Sequence, residues 1–163
     1  MAADQQLTAA EERFGPGVRI PPPVVLATWI GIGLLLRWYF PTPLLPQLVA
    51  WWSGGVLIVA GLGTLSWCLQ QFRKNETALL PHRPDSKLIL GGLYRHTRNP
   101  IYLSLVVIHI GTGLAFNSGV VLAMVIPLIL TLQLYVIRKE ERYLTRRFGA
   151  SYEEYCRSVR RWL

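Results

Sequence analysis

Formal charge is scarce in this chain: 16% of its 163 residues are charged, and acids are the scarcer sign, 9 against 17 Lys plus Arg. A soluble domain carries about a quarter charged residues, so this deficit, beside 52% hydrophobic residues, argues against a water-soluble globule. The same apolar content excludes disorder. Cysteine is nearly absent, with Cys68 in an apolar run and Cys156 in a basic tail, which fits neither a disulfide framework nor a zinc pattern. His82 and His96 lack metal-ligand spacing, and no metal is predicted. Internal repeats and low-complexity segments are missing too, and no cleavable signal peptide is expected, because the polar start contains acids and the first apolar run begins only after residue 20.

What is present is long uncharged sequence. A membrane-crossing helix needs about 20 apolar residues for about 30 Å of hydrocarbon. The first candidate runs from about Pro22 to Phe40 with one charge, Arg37, near its end, and the second from about Leu44 to Leu69 with none. Pro41-Thr42-Pro43 reads as the turn between them. Ile101 to Ile137 is uncharged over 37 residues, which at about 1.5 Å per residue is too long for one span. Asn117-Ser118-Gly119 divides it into a hairpin of Pro100 to Phe116 and Gly119 to Ile137. The expected fold is all-α: one domain over 1–163, an integral membrane bundle of about four transmembrane helices (22–137) with a loose segment 1–20 before it and cytoplasmic or interfacial helices (138–163) after it.

The basic residues orient this bundle. Segment 72–99 holds Arg73, Lys74, Arg83, Lys87, Arg95 and Arg98, the tail beyond Ile137 holds eight more, and neither outer turn has a Lys or Arg. The positive-inside rule then predicts cytoplasmic N- and C-termini, in the inner membrane if the source is bacterial. Because the Arg and Lys cluster at the ends of spans, topology and anionic headgroups account for them and nucleic acid is not predicted as a partner. The sequon Asn75-Glu76-Thr77 falls on the predicted cytoplasmic side and is discounted.

Chemistry concentrates on that side. Asn99-Pro100 is a strong helix start, and a helix N-terminus favours an anion. Arg98 adds a charged fork there, and Tyr94 and Tyr102 flank it with aromatic faces able to meet a cation. The plainer reading is a capped membrane helix with an interfacial Arg and an aromatic belt. Downstream, Glu140 and Glu141 either pair with Arg138 and Arg142 on a solvated helix end or hold an amine or ribose hydroxyls of a ligand bearing both signs. Gly149 reads as a helix C-cap and Ser151-Tyr152-Glu153-Glu154 as a capping box. A last amphipathic helix would follow, with Tyr152, Tyr155, Val159 and Trp162 against the membrane and Arg157, Arg160 and Arg161 at headgroups. His109 falls mid-membrane, as a functional residue or as a neutral His bonded to a neighbouring helix. Pro127 predicts a kink in the fourth span. Five of the six tryptophans, Trp29, Trp38, Trp51, Trp52 and Trp67, read as belt or packing residues.

The run Gly92-x-Tyr94-x-x-x-Arg98-Asn99-Pro100-x-Tyr102, followed by Glu140-Glu141-x-x-Leu144-x-x-x-Phe148-Gly149-x-x-Tyr152-x-x-Tyr155-x-x-x-Val159, resembles the integral-membrane methyltransferases that include isoprenylcysteine carboxyl methyltransferases and phospholipid N-methyltransferases. The resemblance covers about Thr77 onward. In the second span, Gly61-Leu62-Gly63 is similar to a Gly-x-Gly of the phospholipid branch and equally fits a small-residue packing face. The resemblance implies S-adenosylmethionine as cofactor, lined by Ser86, Lys87, Leu88, Ile89, Tyr94, Asn99, Pro100, Ile101, Tyr102 and Glu140. It implies in-line methyl transfer to a lipophilic acceptor entering from the bilayer, with proximity supplying most of the acceleration. Arg98, Tyr102 and Glu141 are the candidate catalytic residues, Tyr102 or Glu141 taking the proton that an amine acceptor must lose. No obligate protein partner is implied.

Two positions depart from the family pattern. Asn99 stands where the eukaryotic isoprenylcysteine enzymes have His, and Val136 where they have an Arg thought to meet the substrate carboxylate, so prenylcysteine is not supported as acceptor. Arg138 would substitute only if its helix turned it inward. Two rival functions are an NADPH-dependent membrane reductase of the sterol or steroid type, with a related C-terminal helical arrangement, and a non-catalytic membrane protein.

Overall fold

The computed structural model describes residues 16–74 and 88–163, all of whose regular structure is helical. The candidate cofactor residues Ser86 and Lys87, the sequon at 75–77, His82, Arg83 and most of the N-terminal segment lie outside the described residues. Helix α1 is Pro22–Leu36, α2 Gln47–Lys74, α3 Pro100–Ala115, α4 Gly119–Ala123, α5 Val125–Thr131, α6 Arg138–Phe148 and α7 Ala150–Ser158. Gly92–Arg95 forms a 3-10 turn, and Leu132–Ile137 is wound as a π-helix between α5 and α6.

Among the described residues, two stretches are long and apolar enough to cross a membrane: α2, with 28 residues, and the run Gly119–Phe148, with 30. Only 17% and 28% of their apolar windows are buried, whereas the core helix of a soluble protein would be mostly covered. The outward side chains, among them Leu48, Trp52, Val56, Val59, Ile126, Leu130 and Leu134, suit hydrocarbon. Helices α1 and α3 are apolar but shorter, 15 and 16 residues, so the structure supports membrane association with two helices of spanning length. Trp38, Trp51, Trp52 and Trp67 are exposed, as belt residues are.

The chain divides into two compact units, Pro22–Ser66 with Ile101–Leu132, and Met1–Pro21 with Trp67–Pro100 and Gln133–Leu163. The first contains one formal charge, Arg37, whose guanidinium carbon sits 5.2 Å from the Phe116 ring centroid. Its helices approach through glycine. A Cβ on Gly54 would run into the backbone of Ala115 and lie 2.5 Å from the Gly111 carbonyl oxygen, and one on Gly61 would lie 2.6 Å from Ile108 Cγ1. Gly63 faces open space, so the Gly-x-Gly of α2 contributes one packing position.

The hairpin between α3 and α4 turns where the sequence predicts. Asn117 takes φ 47°, a conformation Asn tolerates better than most residues. Its side chain accepts from the Leu44 and Leu45 amides at 2.8 and 3.0 Å and donates to the Leu45 carbonyl at 2.7 Å. Ser118 caps α4 through Val121 N, and the Thr42 carbonyl accepts from Gly119 N at 2.9 Å. Pro127, inside α5, lacks the N–H that would bond Ala123, and the helix is interrupted one turn before it, at Met124 between α4 and α5. His109 is fully buried, with Nε2 2.9 Å from the Val121 carbonyl oxygen. It is therefore bonded to the neighbouring helix.

Candidate functional site

The second unit gathers the polar candidates. Gly92, at φ 62°, opens the 3-10 turn that buries Tyr94 edge-on to Phe72, ring centroids 6.0 Å apart. The Tyr94 carbonyl accepts from the Tyr155 hydroxyl at 2.7 Å. Thr97, Arg98 and Asn99 then lead into α3, whose first residue is Pro100, as the Asn-Pro pair predicts.

Arg98 lies beside Glu141, Nη1 to Oε1 3.5 Å, with side-chain exposures of 13% and 16%. Its Nη1 also donates to Cys156 Sγ. Its Nε is buried and has no hydrogen-bond partner among the described residues. The Glu141 carboxylate accepts a two-point fork from Arg161, 2.8 Å from Nε and 2.7 Å from Nη2. Asn99 is buried, its side-chain amide donating to the Arg161 carbonyl at 2.8 Å. Glu140 is half-buried and partnered.

Electrostatics follow from this packing. Burial pushes the Tyr155 hydroxyl up to about 12, with Arg98 pulling the other way and Cys156 adding to the rise. Burial, then Cys156 and Glu141, raise Tyr152 as well. The hydrogen bond to Glu141 leads the causes that hold Arg161 more firmly protonated.

Several expectations are corrected here. Glu141 pairs with Arg98 and Arg161, not with Arg138 and Arg142, because Arg161 folds back over α6. Tyr152 and Tyr155 are buried within the protein, so they do not face lipid, and Val159 and Trp162 lie beyond the end of α7. The Trp162 indole donates to Gln133 Oε1 at 3.0 Å. The capping box is not formed. Gly149, at φ 52°, ends α6, and its carbonyl accepts from Tyr152 N and Glu153 N, so α7 starts at Ala150 and Ser151 falls inside it. Val136 is fully buried and Arg138 is exposed, so Arg138 does not turn inward to replace the missing arginine.

Arg98, Asn99 and Glu141 therefore meet in one cluster, while Tyr94 borders it through Tyr155. Leu88 and Ile89 are half-buried in an irregular segment. Ile101 and Tyr102 occupy the first turn of α3, half-buried and buried respectively, and belong to the first unit. Sequence reasoning missed Arg161 and Cys156 as members of the cluster, and no local signal marks either. It also missed a cavity of about 370 Å³ lined by Leu90, Arg95, Ser151, Glu154, Tyr155, Ser158 and Val159.

A family model described as phospholipid methyltransferase matches residues 49–151. The chain is 29% identical over 126 residues to a protein-S-isoprenylcysteine O-methyltransferase of Dictyostelium discoideum, covering 76% of this chain and 53% of that protein. It is 38% identical over 63 residues to an uncharacterized protein of Haemophilus influenzae, covering 39% of this chain and 100% of the relative. The chain thus spans about half the length of the isoprenylcysteine methyltransferase it resembles. No solved structure gives a significant match.

Proposed function

The chain belongs to the phospholipid methyltransferase family, and from that premise we propose that it is a membrane-embedded methyltransferase that uses S-adenosylmethionine to methylate a lipophilic acceptor. The observation that carries the reading is Arg98: a guanidinium at the threshold of α3 whose buried Nε has no partner among the described residues is suited to an anion such as the cofactor carboxylate. When bound, the cofactor supplies a methyl group already activated on a sulfonium.

The chain's own residues bind and orient. Arg98 and the start of α3 take the carboxylate, Glu140 the ammonium or ribose hydroxyls, and Tyr94, Asn99, Pro100, Ile101, Leu88, Ile89, Ser86 and Lys87 are the remaining cofactor candidates. Tyr102 is favoured over Glu141 for taking a proton from an amine acceptor, because both Glu141 oxygens are engaged by Arg161. For the topology we propose four spans with cytoplasmic N- and C-terminal segments. Helices α1 and α3, about 22–24 Å long at 1.5 Å per residue, would then cross by local thinning of the bilayer. The family match favours this reading over an NADPH reductase.

Calorimetric titration of the detergent-purified protein with S-adenosylmethionine, S-adenosylhomocysteine and NADPH tests it, repeated with Arg98→Ala and Glu140→Ala. The expected result is binding of the adenosyl pair, weakened about tenfold or more in each variant, which corresponds to one charge-assisted hydrogen bond. Binding of NADPH alone would move the protein to the reductases, and binding of neither by folded protein would leave the non-catalytic reading.

A further inference from the structure

Segment 159–163 follows α7 without regular structure, and a segment of that kind has to find partners for its backbone groups elsewhere. It finds them on the approach to α3. The Arg160 carbonyl accepts from Arg98 N at 2.9 Å. The Arg161 carbonyl accepts from Thr97 Oγ1 at 3.3 Å and Asn99 Nδ2 at 2.8 Å. The Arg161 side chain closes the fork on Glu141, and Trp162 reaches Gln133.

We propose that segment 159–163 is a positioning strap for the anion site, with Arg161 as the positioning residue that keeps Arg98 available to the cofactor carboxylate. The argument turns on how Glu141 is shared. Its carboxylate lies between two guanidinium groups, 2.7 Å from Arg161 and 3.5 Å from Arg98. A carboxylate saturated by a two-point fork holds the second guanidinium less closely, and Arg98, whose Nη1 otherwise donates to Cys156 Sγ, keeps an Nε without a partner among the described residues. Without Arg161, Glu141 keeps Arg98 as its other ion-pair partner among the described residues, and the two would close into a direct pair that competes with an incoming anion. The backbone half of the strap meanwhile fixes residues 97–99, so that Arg98 is presented at the helix start.

This inference rests on the reading of the site as a cofactor site, and the test separates the two. S-adenosylhomocysteine is titrated into the full chain, into Arg161→Ala, into Arg161→Lys and into the double variant R161A/E141A, each checked for a cooperative melt. Amide exchange at Arg98 is measured in the full chain and in a chain ending after Ser158. The expected outcome is at least tenfold weaker binding in R161A, an intermediate loss in R161K, and partial recovery in the double variant, where Arg98 has no carboxylate to collapse onto. A merely structural role for Arg161 would not be rescued by removing Glu141. Unchanged or tighter binding in R161A overturns the proposal, the latter because the strap would then be a competitor of the ligand. If the full chain binds no S-adenosylhomocysteine, the cofactor reading fails and the exchange data decide the strap. Exchange at least tenfold faster in the shortened chain upholds the positioning of Arg98 for another anion, and unchanged exchange overturns it.

Discussion

Within the unit formed by Pro22–Ser66 and Ile101–Leu132, helices touch through glycine, and turns are held by neutral groups such as Asn117, Ser118 and Thr42. Within the unit containing α6 and α7, the contacts that decide the arrangement are charged: Glu141 with Arg98 and Arg161, and buried tyrosines whose hydroxyls are kept neutral. The contrast follows from the available chemistry. A region with a single formal charge and lipid-like surroundings gains little from apolar burial and relies on close van der Waals approach. A region rich in Arg has to neutralise the carboxylates it covers, since a buried charge without a partner is costly.

The comparison breaks most readily at Gly54. Alanine there meets backbone atoms of Ala115 and Gly111, which cannot yield as a flexible side chain would. Gly54→Ala is expected to destabilise by about 3 kcal/mol or more, the top of the overpacking range, because the atoms it meets are backbone, read as a lower melting temperature in detergent. The adjacent Gly55 meets nothing within 4 Å, so Gly55→Ala should leave the melt unchanged or raise it, alanine being the better helix former by about 1 kcal/mol. Equal effects of the two substitutions would disprove glycine-mediated packing.

A smaller loss is expected at the turn. Asn117→Ala removes the hydrogen bonds to residues 44 and 45 and leaves in the left-handed region a side chain with no polar group to favour it, for a combined cost of about 1–3 kcal/mol. Asn117→Gly relieves the backbone and still lacks the bonds, so its melting temperature should lie between those of alanine and the native residue. A glycine variant melting with the native protein would mean that the side-chain bonds contribute nothing.

The smallest effect is sought in the charged unit. Tyr155 has a folded value of about 12 against an ordinary 10.0, raised chiefly by burial. A raised value means that the folded state holds the proton more tightly. The corresponding stability is complete below about pH 10 and is lost as pH climbs toward 12. Thermal melts between pH 9 and 12 should therefore fall more steeply for the native protein than for Tyr155→Phe, which has no proton to lose there. Parallel curves would place Tyr155 in contact with solvent.

Much of the apolar unit is legible in sequence. Run lengths locate the helices, Asn117-Ser118-Gly119 locates a turn because its residues tolerate or cap what a turn demands, and Pro127 locates an interruption because it lacks an N–H. Of the candidate site, Asn99-Pro100 was readable as a helix start, since backbone preferences act locally, whereas the pairing of Arg98 with Glu141, 43 residues apart in sequence, was not. The direction in which α7 faces was not. Amphipathic periodicity marks an apolar stripe with Tyr152 and Tyr155 on it and cannot distinguish lipid from protein as the surface that covers it.

By itself, then, the sequence determined the helical class, the places where the chain turns and the residue types available at the basic end, because each depends on hydrophobic length, backbone preference or charge within a few neighbours. Only the tertiary structure decided that Glu141 belongs to Arg161, 20 residues away, and that segment 159–163 returns to Arg98 and Asn99. A chain with many arginines offers Glu141 many partners of equal charge. The choice among them is made by distance and by the burial that makes an unpaired carboxylate costly.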